Sequence, residues 1–401
     1  MKFNTSKKIW AHIDCDSFFA ECEILKNPKI KDDFVIVGDE IVLACNYKTK
    51  SFGIKTGTPI WQAREILKNK GVYLSSDHDF YSLVSSKLMS YLEEKTLEVL
   101  PFSIDEAFCD ITGLCKLYGI DLETYIKNLQ NDILKNIGIP VSIGVSTTKI
   151  KAKIFSKLNK PFGFFIDLSC SSELYKTLEL KIVPFIGKSM QEKLKYKCSN
   201  VYDFVFLGYW YLKNNIGKNA TDLWLELSGV NAFFIKKNNF SKSISRGRSF
   251  NKNITNDSDF LLKELISNFN FLFEELILKN YETKRVSIFF RDKEKQTFIF
   301  HYTLPCFTID RRVLLEIIKY MFKIYFNDNV LYRSTGIVFS NLKDRSFHQT
   351  NIFENNFSKT TTKKEIYTII NDINLKYDNH KIAFGMDLLG KNFISKLGIR
   401  K

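Results

Sequence analysis

The sequence predicts a multidomain α+β protein. Its 401 residues are more than one hydrophobic core usually organises, and 45% of them are hydrophobic, which is typical of packed globular domains. The element pattern also changes along the chain: strands and helices are mixed in residues 1–170, short helices follow in 171–235, and 243–341 have the order β-α-β-β-α-β. That last order is typical of a duplicated split βαβ unit.

The first region predicts a sheet with helices on one side. Two closely spaced apolar runs, 34–38 and 41–47, are typical of a hairpin, and 98–112 predict two strands around a turn. A further strand is predicted at 140–146. The spacing of apolar residues and the start signals predict helices at 58–67, 79–95, 121–137 and 147–158.

The chain is basic, with 59 Lys and Arg against 44 Asp and Glu and a formal net charge of +15. This balance favours a polyanionic partner, nucleic acid first and an anionic membrane second, although an AT-rich genome also enriches lysine. No apolar run approaches the ~20 residues of a membrane span, and the basic first residues lack an apolar signal core, so no membrane is expected. The eight cysteines include no CxxC pair, which favours a reduced, cytoplasmic compartment.

Carboxylates occur at two strand ends. "IWAHIDCDSFFAECE" places Asp14 and Asp16 after an apolar strand, where they suit a metal ion, although Asp16 or Ser17 also suits a helix cap. "FSIDEAF" places Asp105 and Glu106 side by side in a turn, where they repel each other unless a cation lies between them. Magnesium takes oxygen ligands and usually keeps a substrate phosphate among them. Two magnesium ions held by three carboxylates is the arrangement that transfers a nucleotidyl group.

A lysine-rich segment, "STTKIKAKIFSKLNKPFG", suits the phosphate end of such a substrate. Lys149 and Lys153 lie one helical turn apart on one face. Lys160 precedes Pro161, so its backbone is extended and its side chain can reach away from the helix. A solvated basic face is the alternative for these lysines.

Together these segments resemble the Y-family translesion DNA polymerases, the UmuC/DinB group of the impB/mucB/samB family. Six segments match the family in order and spacing: "HIDCDSFFAECE", "CNYKTKSFGIKTGTPI", "SIDEAF", "GVSTTKIKAKIFSKLNKPFG", "VPFIGKSMQEKL" and "KSISRGRSF". The resemblance implies a right-hand polymerase with an α/β palm. The implied domains are palm at 1–24 and 78–170, fingers at 25–77, a helix-hairpin-helix thumb at 171–238, a split-βαβ little finger at 239–341 and a C-terminal tail at 342–401.

The resemblance also implies residue roles. Asp14, Asp105 and Glu106, with the backbone carbonyl of Cys15, would hold two Mg²⁺ ions, and Asp105 and Glu106 would be catalytic. The implied nucleotide-binding residues are Phe18, Phe19 as the steric gate against a 2′-hydroxyl, Tyr47, Lys50 and Lys160. The implied DNA-binding residues are Lys149, Lys153, Gly187, Lys188, Lys242, Arg246 and Arg248.

The chain departs from the family pattern at several positions. Lys50 stands where the family usually has arginine and cannot form a bidentate fork. Ala44 stands where many relatives carry a hydroxyl, and Thr148 replaces a frequent asparagine. Phe185 stands where a hairpin usually has glycine, and because a phenylalanine does not easily adopt positive φ, an altered grip on DNA is expected. None of these departures removes an implied metal ligand.

The tail contains "HQTNIFENN", in which Gln349, Ile352 and Phe353 match the pattern of a bacterial sliding-clamp peptide. The alternative is that Phe353 belongs to a small C-terminal core. The rest of the tail resembles UmuC-like relatives more than DinB enzymes, so a UmuD-like accessory protein is a further implied partner.

The implied function is low-fidelity, template-directed DNA synthesis on primer-template DNA from dNTPs, without proofreading, in DNA repair and damage tolerance. One alternative is a non-catalytic relative that binds DNA and the clamp, although such a protein is expected to lose metal carboxylates. The other is a structural helix-hairpin-helix DNA-binding protein, which would need neither Phe19 beside Asp14 nor Lys160.

Overall fold

The computed structural model describes residues 8–169, 172–234, 241–250 and 254–345, with the single residues 369, 373 and 376. The chain forms two compact units, Met1–Lys237 and Asn238–Lys401. Within the described ranges, no helix combines the length and the apolar character that crossing a bilayer requires. The finer division into palm, fingers, thumb, little finger and tail stays a prediction.

The first unit contains a five-stranded and a three-stranded sheet in its described part. Its strands are β1 Trp10–Cys15, β2 Val35–Val37, β3 Ala44–Cys45, β4 Val72–Leu74, β5 Glu98–Pro101, β6 Glu106–Asp110, β7 Val141–Ser146 and β8 Phe164–Ile166. The larger sheet has the order β5-β6-β1-β7-β8, and the smaller has the order β3-β2-β4. The predicted hairpin at 34–47 is confirmed, because β2 and β3 pair antiparallel.

The helices of this unit lie on the large sheet, around the small sheet and in a separate helical segment after β8. They are α1 Phe18–Lys26, α2 Tyr47–Lys50, α3 Ile60–Ile66, α4 His78–Lys95, α5 Leu114–Tyr118, α6 Leu122–Ile137, α7 Lys149–Phe155, α8 Ser172–Thr177, α9 Lys188–Leu194, α10 Val201–Phe206, α11 Gly208–Asn215 and α12 Lys218–Leu227. The four predicted helices of the first region appear as α3, α4, α6 and α7, and the all-helical pattern after residue 171 is confirmed.

The side chains of the central strand β1 alternate between the two faces of the sheet, so they contribute to the main core on one face and contact α7 on the other. Ala11 and Ile13 are fully buried in the main core, which α1, α4 and α6 complete. His12 and Asp14 point to the opposite face, where α7 lies against β1 and β7. The strand thereby brings polar groups to a face that is covered by a helix.

Gly144 in β7 allows α7 to lie very close to the sheet. A Cβ atom at this position would lie 2.1 Å from the carbonyl oxygen of Ala152 and 2.2 Å from the nitrogen of Ser156. Both atoms belong to the backbone at the end of α7, so no side-chain movement could relieve the overlap. The position of α7 therefore depends on a glycine in the sheet beneath it.

Gly144→Ala should lower the stability of the first unit, because α7 would have to move away from β7. We expect a loss of about 1–3 kcal/mol, as for other overpacked cores. Thermal unfolding followed by circular dichroism measures this loss. A variant that melts like the wild-type protein would show that α7 can shift without cost.

The helical segment after β8 is tied to α7 by Glu226 of α12. This side chain is fully buried, and its carboxylate accepts hydrogen bonds from the backbone nitrogens of Ile150 at 3.1 Å and of Ala232 and Phe233 at 2.7 Å each. The N-cap residue of α7, Thr148, makes no side-chain capping bond and instead donates to the Glu226 carbonyl oxygen. Glu226, which lies 76 residues after Ile150, thus accepts a hydrogen bond from a free backbone N–H in the first turn of α7.

Phe185 corrects the expectation drawn from the sequence, because it adopts positive φ (67°). Its ring packs against Phe102, with centroids 6.1 Å apart, and against Phe233, with centroids 5.3 Å apart. The turn that usually needs glycine is therefore formed here with a phenylalanine whose ring contacts its neighbours.

The second unit is an antiparallel sheet covered by two helices. Its elements are β9 Ser243–Ser249, α13 Ser258–Leu278, β10 Tyr281–Asp292, β11 Thr297–Thr308, α14 Arg311–Tyr325 and β12 Tyr332–Asp344. The predicted order β-α-β-β-α-β is confirmed, and the strands lie in the order β11-β10-β12-β9. The apolar faces of α13 and α14 pack on one face of the sheet and form a separate core.

Candidate active site

Strand pairing brings the predicted metal ligands together. Asp14 at the end of β1 pairs with Glu106 at the start of β6. The backbone nitrogen of the next residue, Cys15, donates to the carbonyl oxygen of Asp105 at 2.9 Å. The two sequence segments with carboxylates therefore meet at one edge of the large sheet.

A buried histidine belongs to the same group. Ligand atoms of His12, Asp14 and Glu106 all lie within 4.8 Å of one another, a spacing that suits a metal ion, whereas the Asp105 carboxylate is not part of this group. Sequence reasoning missed His12, although the alternation along β1 places it on the same face as Asp14. The signal that could have identified His12 is its position two residues before Asp14 on the same strand.

His12 lies between a serine hydroxyl and the Glu106 carboxylate. Its Nδ1 is hydrogen-bonded to the Ser156 hydroxyl at 2.9 Å. Its Nε2 lies 3.2 Å from Oε2 of Glu106. Burial lowers the pKa of His12. The ring is thereby held with Nε2 facing the carboxylates.

Two lysines neutralise the carboxylates. Lys160 Nζ lies 2.6 Å from Oδ1 of Asp14, and Lys153 forms an ion pair with Glu106. Burial raises the pKa of Asp14 despite Lys160. Burial also opposes ionisation of Glu106, but the neighbouring His12 and Lys153 outweigh it and lower the pKa of Glu106 to about 2. Glu106 is thus a carboxylate at neutral pH, available to a cation.

The basic helix α7 is not a solvated face. Lys149, Lys151 and Lys153 are all buried, so that alternative is wrong. Lys149 Nζ donates to the carbonyl oxygen of Phe233 at 3.0 Å and lies 4.4 Å from the ring centroid of Trp10. Lys149 and Lys153 would each have to leave an internal partner to contact a DNA phosphate.

The predicted steric gate, Phe19, stands in the first turn of α1. Its ring stacks on Tyr81 with centroids 4.4 Å apart and planes 18° apart, and it meets the edge of His78 at 5.5 Å. Phe18 is buried beside it, with ring centroids 5.9 Å apart. Tyr81 is fully buried and donates to Oε1 of Glu23 at 2.7 Å. Sequence reasoning missed Tyr81, on which the Phe19 ring stacks.

The predicted nucleotide-binding residues of α2 lie beside the start of α1. The Tyr47 hydroxyl donates to Oδ1 of Asp16 at 3.3 Å. Lys50 Nζ donates to the Ser17 hydroxyl at 2.7 Å and lies 4.2 Å from the Tyr47 ring centroid. Ser17 occupies the N-cap position of α1, as the helix-cap alternative allows, but its side chain makes no capping bond, and Asp16 bonds to groups outside α1. Lys160 Nζ also approaches Oδ1 of Asp16, at 3.4 Å.

The two hydrophobic-Gly-Lys turns of the sequence meet in the helical segment. Gly187 and Lys188 are exposed at the start of α9. Ile216, from the second turn, joins residues of the first around a groove of about 270 Å³. The groove is lined by Phe185, Gly187, Ser189, Met190, Lys193 and Ile216.

In the second unit, the predicted DNA-binding cations lie on or next to the edge strand β9. Lys242, Arg246 and Arg248 are exposed. The Arg246 guanidinium lies 5.0 Å from the ring centroid of Phe271, and Nη1 of Arg248 lies 3.3 Å from Oε1 of Glu264. The predicted clamp-binding residues Gln349, Ile352 and Phe353 lie outside the described residues.

The chain is similar in sequence to bacterial proteins named DNA polymerase IV. DNA polymerase IV of Staphylococcus aureus (strain bovine RF122 / ET3-1) is 31% identical over 261 residues, which are 63% of this chain and 78% of that protein. DNA polymerase IV of Treponema denticola is 29% identical over 385 residues, 91% of this chain and 94% of the relative. DNA polymerase IV of Ureaplasma parvum is 28% identical over 349 residues, 84% of this chain and 96% of the relative.

Solved structures share the fold. A Y-family DNA polymerase chimera of Dbh and Dpo4 matches with a TM-score of 0.70 at 22% identity, covering 84% of this chain and 99% of the chimera. DinB from Sulfolobus solfataricus matches with a TM-score of 0.52 at 23% identity, covering 83% and 98%. At this identity, the likeness concerns the fold alone.

The fold is that of Y-family DNA polymerases, and the relatives that match are DNA polymerases. The impB/mucB/samB family matches residues 13–157, and its C-terminal domain matches 241–352. The chain belongs to the impB/mucB/samB family.

Proposed function

We infer that this DNA-directed DNA polymerase copies damaged templates with low fidelity, by transferring nucleotides from dNTPs to a primer 3′-hydroxyl in a two-metal mechanism. One observation carries the proposal: Asp14 of β1 pairs with Glu106 of β6, next to Asp105. The helix that follows β1 carries Phe19 in its first turn. A site of this kind presents carboxylates to metal-bound phosphates and an aromatic ring to the sugar.

Asp14, Asp105 and Glu106, with the Cys15 carbonyl, would hold two Mg²⁺ ions. The donor set fits, because a nitrogen of His12 and carboxylate oxygens of Asp14 and Glu106 all lie within 4.8 Å of one another, and the partners of the two carboxylates include the ammonium groups of lysines. When bound, two divalent ions supply Lewis-acid stabilisation of the attacking hydroxyl and the leaving pyrophosphate. Lys153 and Lys160 limit the repulsion between the carboxylates until the ions arrive.

The other residues act on the nucleotide. Phe19, supported by Tyr81, would exclude a 2′-hydroxyl from the sugar position. Tyr47 and Lys160 would bind the triphosphate, and Lys50 would add a single point charge where an arginine would make two parallel bonds. Phe18 packs behind Phe19 and helps to fix its ring.

Binding of primer-template DNA would depend on backbone phosphates. In the first unit, Gly187 and Lys188 are exposed beside the groove formed by the two turns. In the second, Lys242, Arg246 and Arg248 offer cations along an exposed edge strand. Affinity resting on such contacts falls steeply with salt, because bound counterions are released.

A primer-extension assay with purified protein, Mg²⁺ and the four dNTPs tests the proposal. We expect extension on undamaged primer-template, extension past a template lesion, misinsertion when one dNTP is withheld, and no degradation of the primer. A protein that binds the duplex but adds no nucleotide would instead be the non-catalytic relative. Retention of Asp14, Asp105 and Glu106 speaks against that alternative.

We also propose that "QTNIF" (349–353) docks on a bacterial sliding clamp, with Gln349 as the polar anchor. The double change Ile352→Ala with Phe353→Ala should abolish clamp binding and long synthesis tracts, because burying two such side chains is worth roughly 3–6 kcal/mol before ordering costs. Single-nucleotide insertion should be unchanged. A clamp pull-down and an insertion assay on one preparation measure both effects.

The same experiment distinguishes the small-core alternative for Phe353. In that case, thermal stability and basal insertion would fall together with clamp binding, and the docking proposal would be abandoned. A matched control is Phe357→Ala, which removes a phenylalanine four residues beyond the peptide.

A further inference from the structure

Asp16 is a buried carboxylate on which three separate segments converge. Its side chain is 1% exposed. The Ser142 hydroxyl of β7 donates to Oδ2 at 2.8 Å, and the backbone nitrogen of Phe162 donates to the same oxygen at 2.7 Å. The other oxygen, Oδ1, receives the Tyr47 hydroxyl at 3.3 Å and lies 3.4 Å from Lys160 Nζ. Asp16 therefore connects α2 with the large sheet and with the loop before β8.

Asp16 is fixed in the fold and is separate from the carboxylate group at the end of β1. Its backbone nitrogen donates to the carbonyl oxygen of Pro140 at 2.9 Å, and its oxygens are not among the ligand atoms that cluster at His12, Asp14 and Glu106. The carboxylate plane is held by Ser142, whose hydroxyl lies 2.8 Å from Oδ2 and 3.0 Å from Oδ1, and by the bond from the Phe162 nitrogen to Oδ2. The second oxygen is thus presented to Tyr47 and Lys160 in a defined orientation.

The shared oxygen limits where the two donors can lie. Tyr47 Oη and Lys160 Nζ cannot be farther apart than the sum of their distances from Oδ1, 3.3 and 3.4 Å. Two groups held within that limit lie close enough to meet two oxygens of one phosphate group, provided that the Tyr47 proton turns from Asp16 to the phosphate when the nucleotide binds. A flexible lysine and a tyrosine on a four-residue helix would otherwise pay for ordering when the ligand binds.

We propose that Asp16 is a positioning residue that aligns Tyr47 and Lys160 for the triphosphate of the incoming nucleotide. The inference rests on the proposed function, because it takes these two side chains as triphosphate ligands. Asp16 itself does not touch the nucleotide. Its removal should weaken dNTP binding through the loss of preorganisation and should leave the metal requirement and duplex affinity unchanged.

The test measures dNTP affinity without chemistry. The protein is bound to a primer-template whose primer ends in a dideoxynucleotide, and the correct dNTP is titrated at constant Mg²⁺. Asp16→Asn should raise the dissociation constant about tenfold, and Tyr47→Phe by a similar factor. If Asp16 acts through Tyr47, the double variant should be no weaker than the weaker single variant, because the two changes break one interaction.

Two further variants serve as a control and as a substitute for Asp16→Asn. Asp110→Asn removes another buried carboxylate of the same sheet, one that pairs with Lys8 and Thr112, and should leave dNTP affinity unchanged. If Asp16→Asn does not fold, Ser142→Ala gives the test, since it removes one bond to the carboxylate and keeps its charge. We expect it to raise the dissociation constant about threefold.

Several results would overturn the inference. Multiplying effects in the double variant would show that Asp16 and Tyr47 act independently. An increased Mg²⁺ requirement at unchanged dNTP affinity would make Asp16 a metal ligand, and lower melting temperature with normal dNTP affinity would make it structural only. A wild-type protein that binds dNTP but extends no primer would contradict the proposed function while leaving this titration valid.

Discussion

Glu106→Gln should reduce primer extension about a thousandfold or more, equivalent to roughly 4 kcal/mol in the activation free energy. The change keeps the size of the side chain but removes the negative charge that pairs with Lys153 and lies 3.2 Å from His12. A site without this carboxylate cannot neutralise the ion that meets the reacting phosphate. Single-turnover extension at saturating Mg²⁺ and dNTP measures the loss, and Asp105→Ala should behave alike.

Duplex binding separates this effect from a loss of structure. Affinity for primer-template should stay within about twofold, because phosphate contacts by lysines and arginines supply it. Glu123→Gln is the matched control: it alters a glutamate that is paired with Lys127 on the exposed face of α6 and should extend primers normally. Substantial extension by Glu106→Gln would remove Glu106 from the catalytic role.

Phe19→Ala should increase incorporation of ribonucleotides relative to deoxyribonucleotides by roughly a hundredfold, about 2.7 kcal/mol of discrimination. The ring that would meet the 2′-hydroxyl is held from behind by Tyr81 and at its edge by His78, so it cannot easily withdraw. Competing insertion of dNTP and rNTP opposite the same template base measures the ratio.

An exposed phenylalanine provides the comparison for this variant. Phe52 is 52% exposed and meets the edge of Phe34, and Phe52→Ala should leave sugar discrimination unchanged. If Phe19→Ala discriminates like the wild-type protein, Phe19 is a packing residue only.

The sequence predicted those parts of the site that depend on local pattern. Alternation and turn residues were enough to place Asp14 at the end of a strand and Asp105 at a turn, whereas Glu106, predicted in the same turn, is the first residue of β6. The resemblance supplied their order. The second unit was equally readable, because its strand and helix periods change sharply between elements.

Long-range contacts were not readable in this way. The bond from Ile150 to Glu226 spans 76 residues, and nothing near either residue indicates it. The stacking of Tyr81 behind Phe19 depends on how α4 lies against α1. The solvated interpretation of the lysines in α7 was wrong because helix periodicity shows which residues share a face but not whether another element covers it.

The bonds of Glu226 bear on how this polymerase can be divided. A fragment that ends after β8 would lack α12, so the backbone nitrogen of Ile150 would lose its acceptor and the first turn of α7 would start without a partner. Because α7 carries Lys153 to Glu106, the carboxylate site and the helical segment should unfold as one cooperative piece, with amide protons of both exchanging at the same rate. Protease trimming should therefore release the second unit first, and should not yield a folded large sheet without the helical segment that follows β8.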